Sequence, residues 1–122
     1  MPVFLVVALA GAVGAAARYG LDTLFRRDAH HLPWVTFAIN VSGSFALGAV
    51  VAFLDAHPHT AVRPAITIGL LGAFTTFSTL SLETYRLLDR GHLALAAAYS
   101  LGSLGAGLAA VTLGVAAGRL VI

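Results

Sequence analysis

The polar chemistry of this chain gathers between Gly69 and Glu83, which reads Gly-Leu-Leu-Gly-Ala-Phe-Thr-Thr-Phe-Ser-Thr-Leu-Ser-Leu-Glu. Gly72 and the hydroxyls of Thr75, Thr76, Ser78 and Thr79 sit there inside an uncharged run from Pro64 to Leu82. A run of that length crosses a bilayer, whose core of about 30 Å takes about 20 residues at about 1.5 Å each. Unpaired backbone groups are costly at that depth, and non-helical backbone persists only where it is buried in protein or lines a watery or ion-holding cavity. The stretch therefore reads as an interrupted spanning helix, with carbonyls and hydroxyls making an ion site in mid-membrane.

Other neutral polar groups fall in neighbouring runs. Thr36, Asn40 and Ser44 recur at i, i+4 and i+8 and form one stripe, with Gly43 and Gly48 thinning the surface nearby. Two readings of Asn40 stay open: an interhelical hydrogen bond of about 0.6–2 kcal/mol, or an amide lining a pore. Tyr99 and Ser103, four apart, share a face of the last run. None of these runs holds an acid, which argues against a proton- or cation-coupled transporter. Hydroxyls and amides suit a small anion instead. The rim of a phenylalanine ring is positive, so Phe77 and Phe74 either face an anion that gives up water or simply pack. Arg18 either snorkels to the headgroups or anchors the break of a neighbouring helix.

The elements that must hold these groups follow from charge segregation. Only 10% of the 122 residues are charged, and the mean hydropathy of +0.93 excludes an ordinary soluble fold. Charges cluster at Arg18–Asp28, Asp55 with Arg63, Glu83–Arg90 and Arg119, and leave four uncharged runs. We expect an all-α integral membrane protein, one domain over residues 1–122, with spans at about 3–19, 33–54, 64–82 and 92–118. Gly20 to Leu32 reads as an amphipathic connector at the interface, with Leu21, Leu24 and Phe25 opposite Asp22, Arg26 and Arg27. Pro33 and Pro64 open helices, Trp34 fits the interfacial aromatic belt, and Glu83 closes the third helix before a charged turn through Gly91. Small residues such as Gly11, Gly14 and Ala15 in the first span, and Gly102, Ala106 and Ala110 in the last, mark packing ridges. Four short helices barely enclose a pore, so an oligomer is expected.

Cysteine is absent, which removes disulfides, thiol catalysis and zinc–thiolate sites. The net charge of +2 is carried by arginines in loops, with no basic stripe for nucleic acid. The pairs His30–His31 and His57–His59 lack a third partner at ligand spacing and read as loop residues. A cleaved signal peptide is the rival reading of the first run, but no positive residue precedes it.

Three separated motifs resemble the bacterial fluoride channels, the Fluc or CrcB family. They are Gly11-x-x-Gly14-Ala15-x-x-Arg18-Tyr19, Thr36-x-x-x-Asn40-x-x-Gly43-Ser44-Phe45-x-x-Gly48, and Gly69-x-x-Gly72-x-x-Thr75-Thr76-Phe77-Ser78-Thr79 followed by Glu83. The likeness spans nearly the whole chain, although Ala10 stands where a second glycine is common. It implies a channel, not an enzyme, that gives passive fluoride efflux across the inner (plasma) membrane and lowers cytoplasmic fluoride. It further implies an antiparallel, dual-topology dimer with two fluoride pathways. A structural, non-transported sodium ion would be held by the backbone carbonyls of Gly72 and Thr75, doubled by the partner chain. The pathway would be lined by Asn40, Phe77, Thr79, Tyr99 and Ser103, with Arg18, Thr76, Ser78, Leu80 and Glu83 in support.

One departure from the pattern matters. The family commonly places a second phenylalanine three residues after the first, where this chain has Leu80, and an aliphatic side chain has no positive edge. Alternating loops also put Arg18, Arg26, Arg27, Arg86 and Arg90 on one side against Arg63 and Arg119 on the other. That bias favours an external N terminus, whereas a dual-topology homodimer wants little bias. A heterodimer with an oppositely oriented paralogue accommodates both features. Two rival classes remain on the residues: a small four-helix multidrug-type transporter, which needs a Glu in the first span where this chain has none, and a structural membrane subunit, which leaves the hydroxyls around Thr75 without a purpose.

Overall fold

The computed structural model describes residues 1–25, 33–58 and 61–121, and all of their regular structure is helical. Helix α1 covers Val3–Phe25 and α2 covers Trp34–Ala56. The third span is compound. Its first half, α3 (residues 62–74), runs through the α-helical turn Val62–Pro64, the π-wound segment Ala65–Leu70 and the turn Leu71–Phe74. Its second half is α4, Phe77–Asp89, and α5 is Leu93–Leu120. Four spans are long and apolar enough to cross a membrane, the third being Val62–Asp89 taken whole. Helices are what such segments must form, because every backbone N–H and C=O then finds its partner within the segment. The protein is a multi-pass membrane protein.

The spans pair off by close backbone approach. α5 lies along α2, and α1 lies along α3. A Cβ on Gly114 would collide with the Phe45 carbonyl, and one on Gly48 with the Val111 carbonyl, so both glycines are needed where α2 and α5 touch. α4 packs on α5 through a small apolar core of Leu87, Ala96 and Tyr99, flanked by Phe37 and Leu80. In the π-wound segment the Leu71 N–H reaches the Ile66 carbonyl, five residues back. At its entry the Thr67 hydroxyl donates to the Arg63 carbonyl at 2.8 Å. π-winding of this kind is frequent at functional sites, and here it ends four residues before the chain leaves helical geometry altogether.

Three expectations need correction. The first span does not stop at residue 19, because the helix continues to Phe25; Leu21, Leu24 and Phe25 carry the apolar spacing onward, and the Thr23 hydroxyl bonds back to the Gly20 carbonyl at 3.0 Å. The rest of the supposed connector, with His30 and His31, lies outside the described residues, as does His59. Glu83 does not close the third span. It sits in the middle of α4, only 6% exposed, and the helix runs on to Asp89, because Leu80, Glu83 and Leu87 at i, i+3 and i+7 share the face that packs inward. The turn itself is confined to Arg90–Gly91, where Gly91 adopts φ +80° and the His92 N–H closes on the Leu87 carbonyl at 2.9 Å. Finally, Gly102 faces open space rather than a neighbouring helix within this chain.

Candidate ion site

The break falls at Thr75 and Thr76, whose backbones are extended at φ −83°, ψ 157° and φ −151°, ψ 121°. Two residues out of helical geometry would leave orphaned groups in mid-span, and neighbouring side chains take up several of them. Asn40 on α2 holds both backbone groups of Thr76: the Thr76 N–H donates to Asn40 Oδ1 at 2.8 Å, and Asn40 Nδ2 donates to the Thr76 carbonyl at 3.1 Å. Arg18 on α1 donates from Nε to the Ala73 carbonyl at 3.3 Å. Thr75 Oγ1 donates to the Leu71 carbonyl at 3.0 Å, doubling the bond that its own N–H makes there. Thr76 Oγ1 accepts from the Thr79 N–H at 3.2 Å and so caps α4, with Thr79 Oγ1 and Ser78 Oγ also at 3.2 Å.

The consequence lies in the carbonyls that lose their donors. In an unbroken helix the Thr76 N–H would go to the Gly72 carbonyl and the Thr79 N–H to the Thr75 carbonyl, each four residues back. Asn40 takes the first donor and Thr76 Oγ1 takes the second. By the same count Ala73 and Phe74 also lose their donors, and Arg18 takes the Ala73 carbonyl; Gly72 and Thr75 are thus among the positions where the break frees carbonyl oxygens, at the negative end of the α3 dipole. Hard oxygen donors of this kind suit a small hard cation. Close approach by α2 is part of the arrangement, since a Cβ on Gly43 would run into Thr75 Cγ2.

Beside the break lies an open groove of about 720 Å³ between α2, α4 and α5. Asn40, Phe77, Leu80 and Ser103 line it, whereas Thr79 and Tyr99 do not. Phe77 is 81% exposed, so its ring edge is free of intrachain packing. Tyr99 is buried between α4 and α5 and donates its hydroxyl to Glu83 Oε1 at 3.3 Å. Reading the residues alone missed Ser81, Thr84 and Ser100, which also face the groove. The register of Ser81 and Thr84 is legible only once Phe77 is known to restart the helix, and Ser100 joins them from α5. Each donates its proton to its own helix, to the carbonyls of Phe77, Leu80 and Ala96. Ser103 differs, because its Oγ is inaccessible and has no hydrogen-bond partner among the described residues.

Four membrane spans, one opened in its middle and tied open by side chains from two others, define a multi-pass membrane protein with a broken helix at its centre. The chain belongs to the CrcB family: residues 5–115 match the family described as "CrcB-like protein, Camphor Resistance (CrcB)". It is similar to a protein of Streptomyces avermitilis named "Fluoride-specific ion channel FluC 3", at 48% identity over 118 residues, covering 95% of this chain and 58% of that relative. The "Fluoride-specific ion channel FluC" of Paracoccus denitrificans is 43% identical over 116 residues, covering 95% and 94% of the two chains. The protein of the same name from Acidobacterium capsulatum is 43% identical over 122 residues and covered to 98% on both sides.

Proposed function

We propose that this chain is a fluoride-specific ion channel of the plasma membrane, a passive pore rather than an enzyme or a coupled pump. The names of its relatives supply the ion. The observation that carries the mechanism is the break at Thr75–Thr76, held open by Asn40. Hydrogen fluoride enters a cell as a neutral acid and dissociates inside, and a leak driven by the negative interior potential then suffices for export.

In this reading the freed carbonyls of Gly72 and Thr75 hold a structural sodium ion, and a second copy supplies two more. The support is chemical: the donor set is all hard oxygen, and both donors that would compete for it are taken elsewhere. When bound, the ion offsets the negative end of α3 and fixes the break. Fluoride passes along the groove, meeting the Asn40 amide and the edge of Phe77, with Ser103 in the lining and Thr79 and Tyr99 holding the wall behind. The groove is open in one chain, and Leu101, Leu104 and Leu108 beside it are exposed. A second copy laid antiparallel on this face encloses the path, and a paralogue in that place supplies the ring that Leu80 lacks.

The test is fluoride efflux from liposomes containing only the purified chain, read with a fluoride electrode, with chloride as control. Rapid, fluoride-selective efflux is expected. Equal chloride flux from a well-folded chain would overturn the assignment, and silence that co-reconstitution with a paralogue relieves would identify the heterodimer.

A further inference from the structure

Away from the groove, the end of the bundle that carries Arg119 holds a second recess of about 560 Å³. Its walls come from three spans: Val50 and Phe53 on α2, Val62 and Ile66 on α3, and Ala117 and Val121 on α5, and every lining residue is apolar. Its floor exists because Gly118 lets α5 descend on α2, where a Cβ would meet the Ala49 carbonyl at 2.5 Å. An apolar recess of this size does not hold ordered water, and at the end of membrane-spanning helices the surrounding medium is lipid. Ala117 and Val121 follow Leu104 and Leu108 by thirteen residues, about 140° around the α5 axis at about 100° per residue. The recess therefore faces away from the groove where a second copy is placed, and that copy leaves it open.

The charges at its rim select the occupant. Arg119 lies between the lining residues Gly118 and Val121, is exposed, and makes no ion pair or hydrogen bond with its side chain among the described residues. Arg63, beside Val62, is neutralised by its ion pair with Asp55. Among the described arginines beside the recess, Arg119 is thus the one without an ionic partner, and a basic group at headgroup level attracts anionic headgroups. We propose that this recess is a specific site for an anionic phospholipid, with an acyl chain lying against Phe53, Ile66 and Val121 and the phosphate group held by Arg119.

Native mass spectrometry of the intact protein, titrated with phosphatidylglycerol or with phosphatidylcholine of the same acyl chains, tests this. Retention of phosphatidylglycerol should exceed that of phosphatidylcholine. Arg119→Gln should reduce the preference about fivefold, the factor corresponding to about 1 kcal/mol per arginine at a membrane surface. Ala117→Phe, which fills the recess, should remove the retained lipid while fluoride flux persists. Arg86→Gln, at the opposite end, should change nothing. Equal retention of the two lipids, or an equal loss with Arg86→Gln, overturns the proposal. Because Arg119 is exposed, its variant folds independently of how Ala117→Phe behaves, and an unchanged preference in Arg119→Gln is by itself decisive against the site.

Discussion

At Asn40 a single side chain stands in for backbone partners of a helix turn: it accepts from one amide of the break and donates to the carbonyl of the same residue. Aspartate is nearly isosteric but only accepts when ionised. Asn40→Asp should keep the bond from the Thr76 N–H, lose the second donor on the Thr76 carbonyl and set a carboxylate oxygen against that carbonyl, and place a negative charge beside the anion path. Fluoride efflux from liposomes should be abolished, and unchanged flux would remove Asn40 from the pathway. Thr76 offers a gentler comparison. Thr76→Ala deletes the cap of α4 and should lower stability by about 1 kcal/mol, whereas Thr76→Ser retains the hydroxyl; thermal melts in detergent should separate the two, and identical melts would mean that the cap is dispensable. Leu80 lies half-buried between the Tyr99 core and the groove. Leu80→Phe should therefore preserve or raise flux by adding a ring edge to the groove wall, and loss of flux would show that the site is packed around leucine.

Among the elements, the third span is stable in two pieces only because α1 and α2 reach into the gap. α1 contributes Arg18 on the Ala73 carbonyl, and α2 contributes Asn40 together with the close approach at Gly43. A methyl group at Gly43 would push Thr75 and α2 apart. Gly43→Ala should cost about 1–3 kcal/mol by overpacking and should depress flux more than stability, because the distortion falls on the break itself. Parallel measurement of melting and efflux decides this: a variant with normal flux would show that α2 can shift without disturbing Thr75. The amphipathic α4 explains why the span does not end at the first acid. Glu83 is carried on its inner face and meets the Tyr99 hydroxyl, so the acid is part of the packing between α4 and α5.

For the molecule as a whole, the proposed function makes sodium and pairing linked quantities. If the carbonyls of Gly72 and Thr75 from two copies share one ion, removing sodium should lower both the fluoride efflux rate and the thermal stability of the pair. Replacing sodium with N-methylglucamine in reconstituted liposomes, alongside melting of the purified protein, checks this. Sodium-independent flux at undiminished stability would detach the ion site from these carbonyls.

Much of this architecture follows from the sequence alone, because bilayer physics leaves few alternatives. Uncharged runs of about 20 residues must be helices, and hydroxyls packed around Thr75 after a glycine at membrane depth mark where helical geometry fails. The tertiary structure decided what the one-dimensional pattern leaves open. Whether Asn40 tied helices together or lined a groove had no answer along the chain, because Asn40 and Thr76 are 36 residues apart; folded, it does both. The same holds for Arg18, whose partner is a carbonyl 55 residues away. The reach of α1 to Phe25 and of α4 to Asp89 also depended on packing, since the charges that punctuate a sequence can lie along the inner face of a helix when another helix supplies their partner. Periodicity and composition specify which segments enter the membrane; only the contacts between them specify which donors are withdrawn from Gly72 and Thr75, and the proposed ion site rests on that withdrawal.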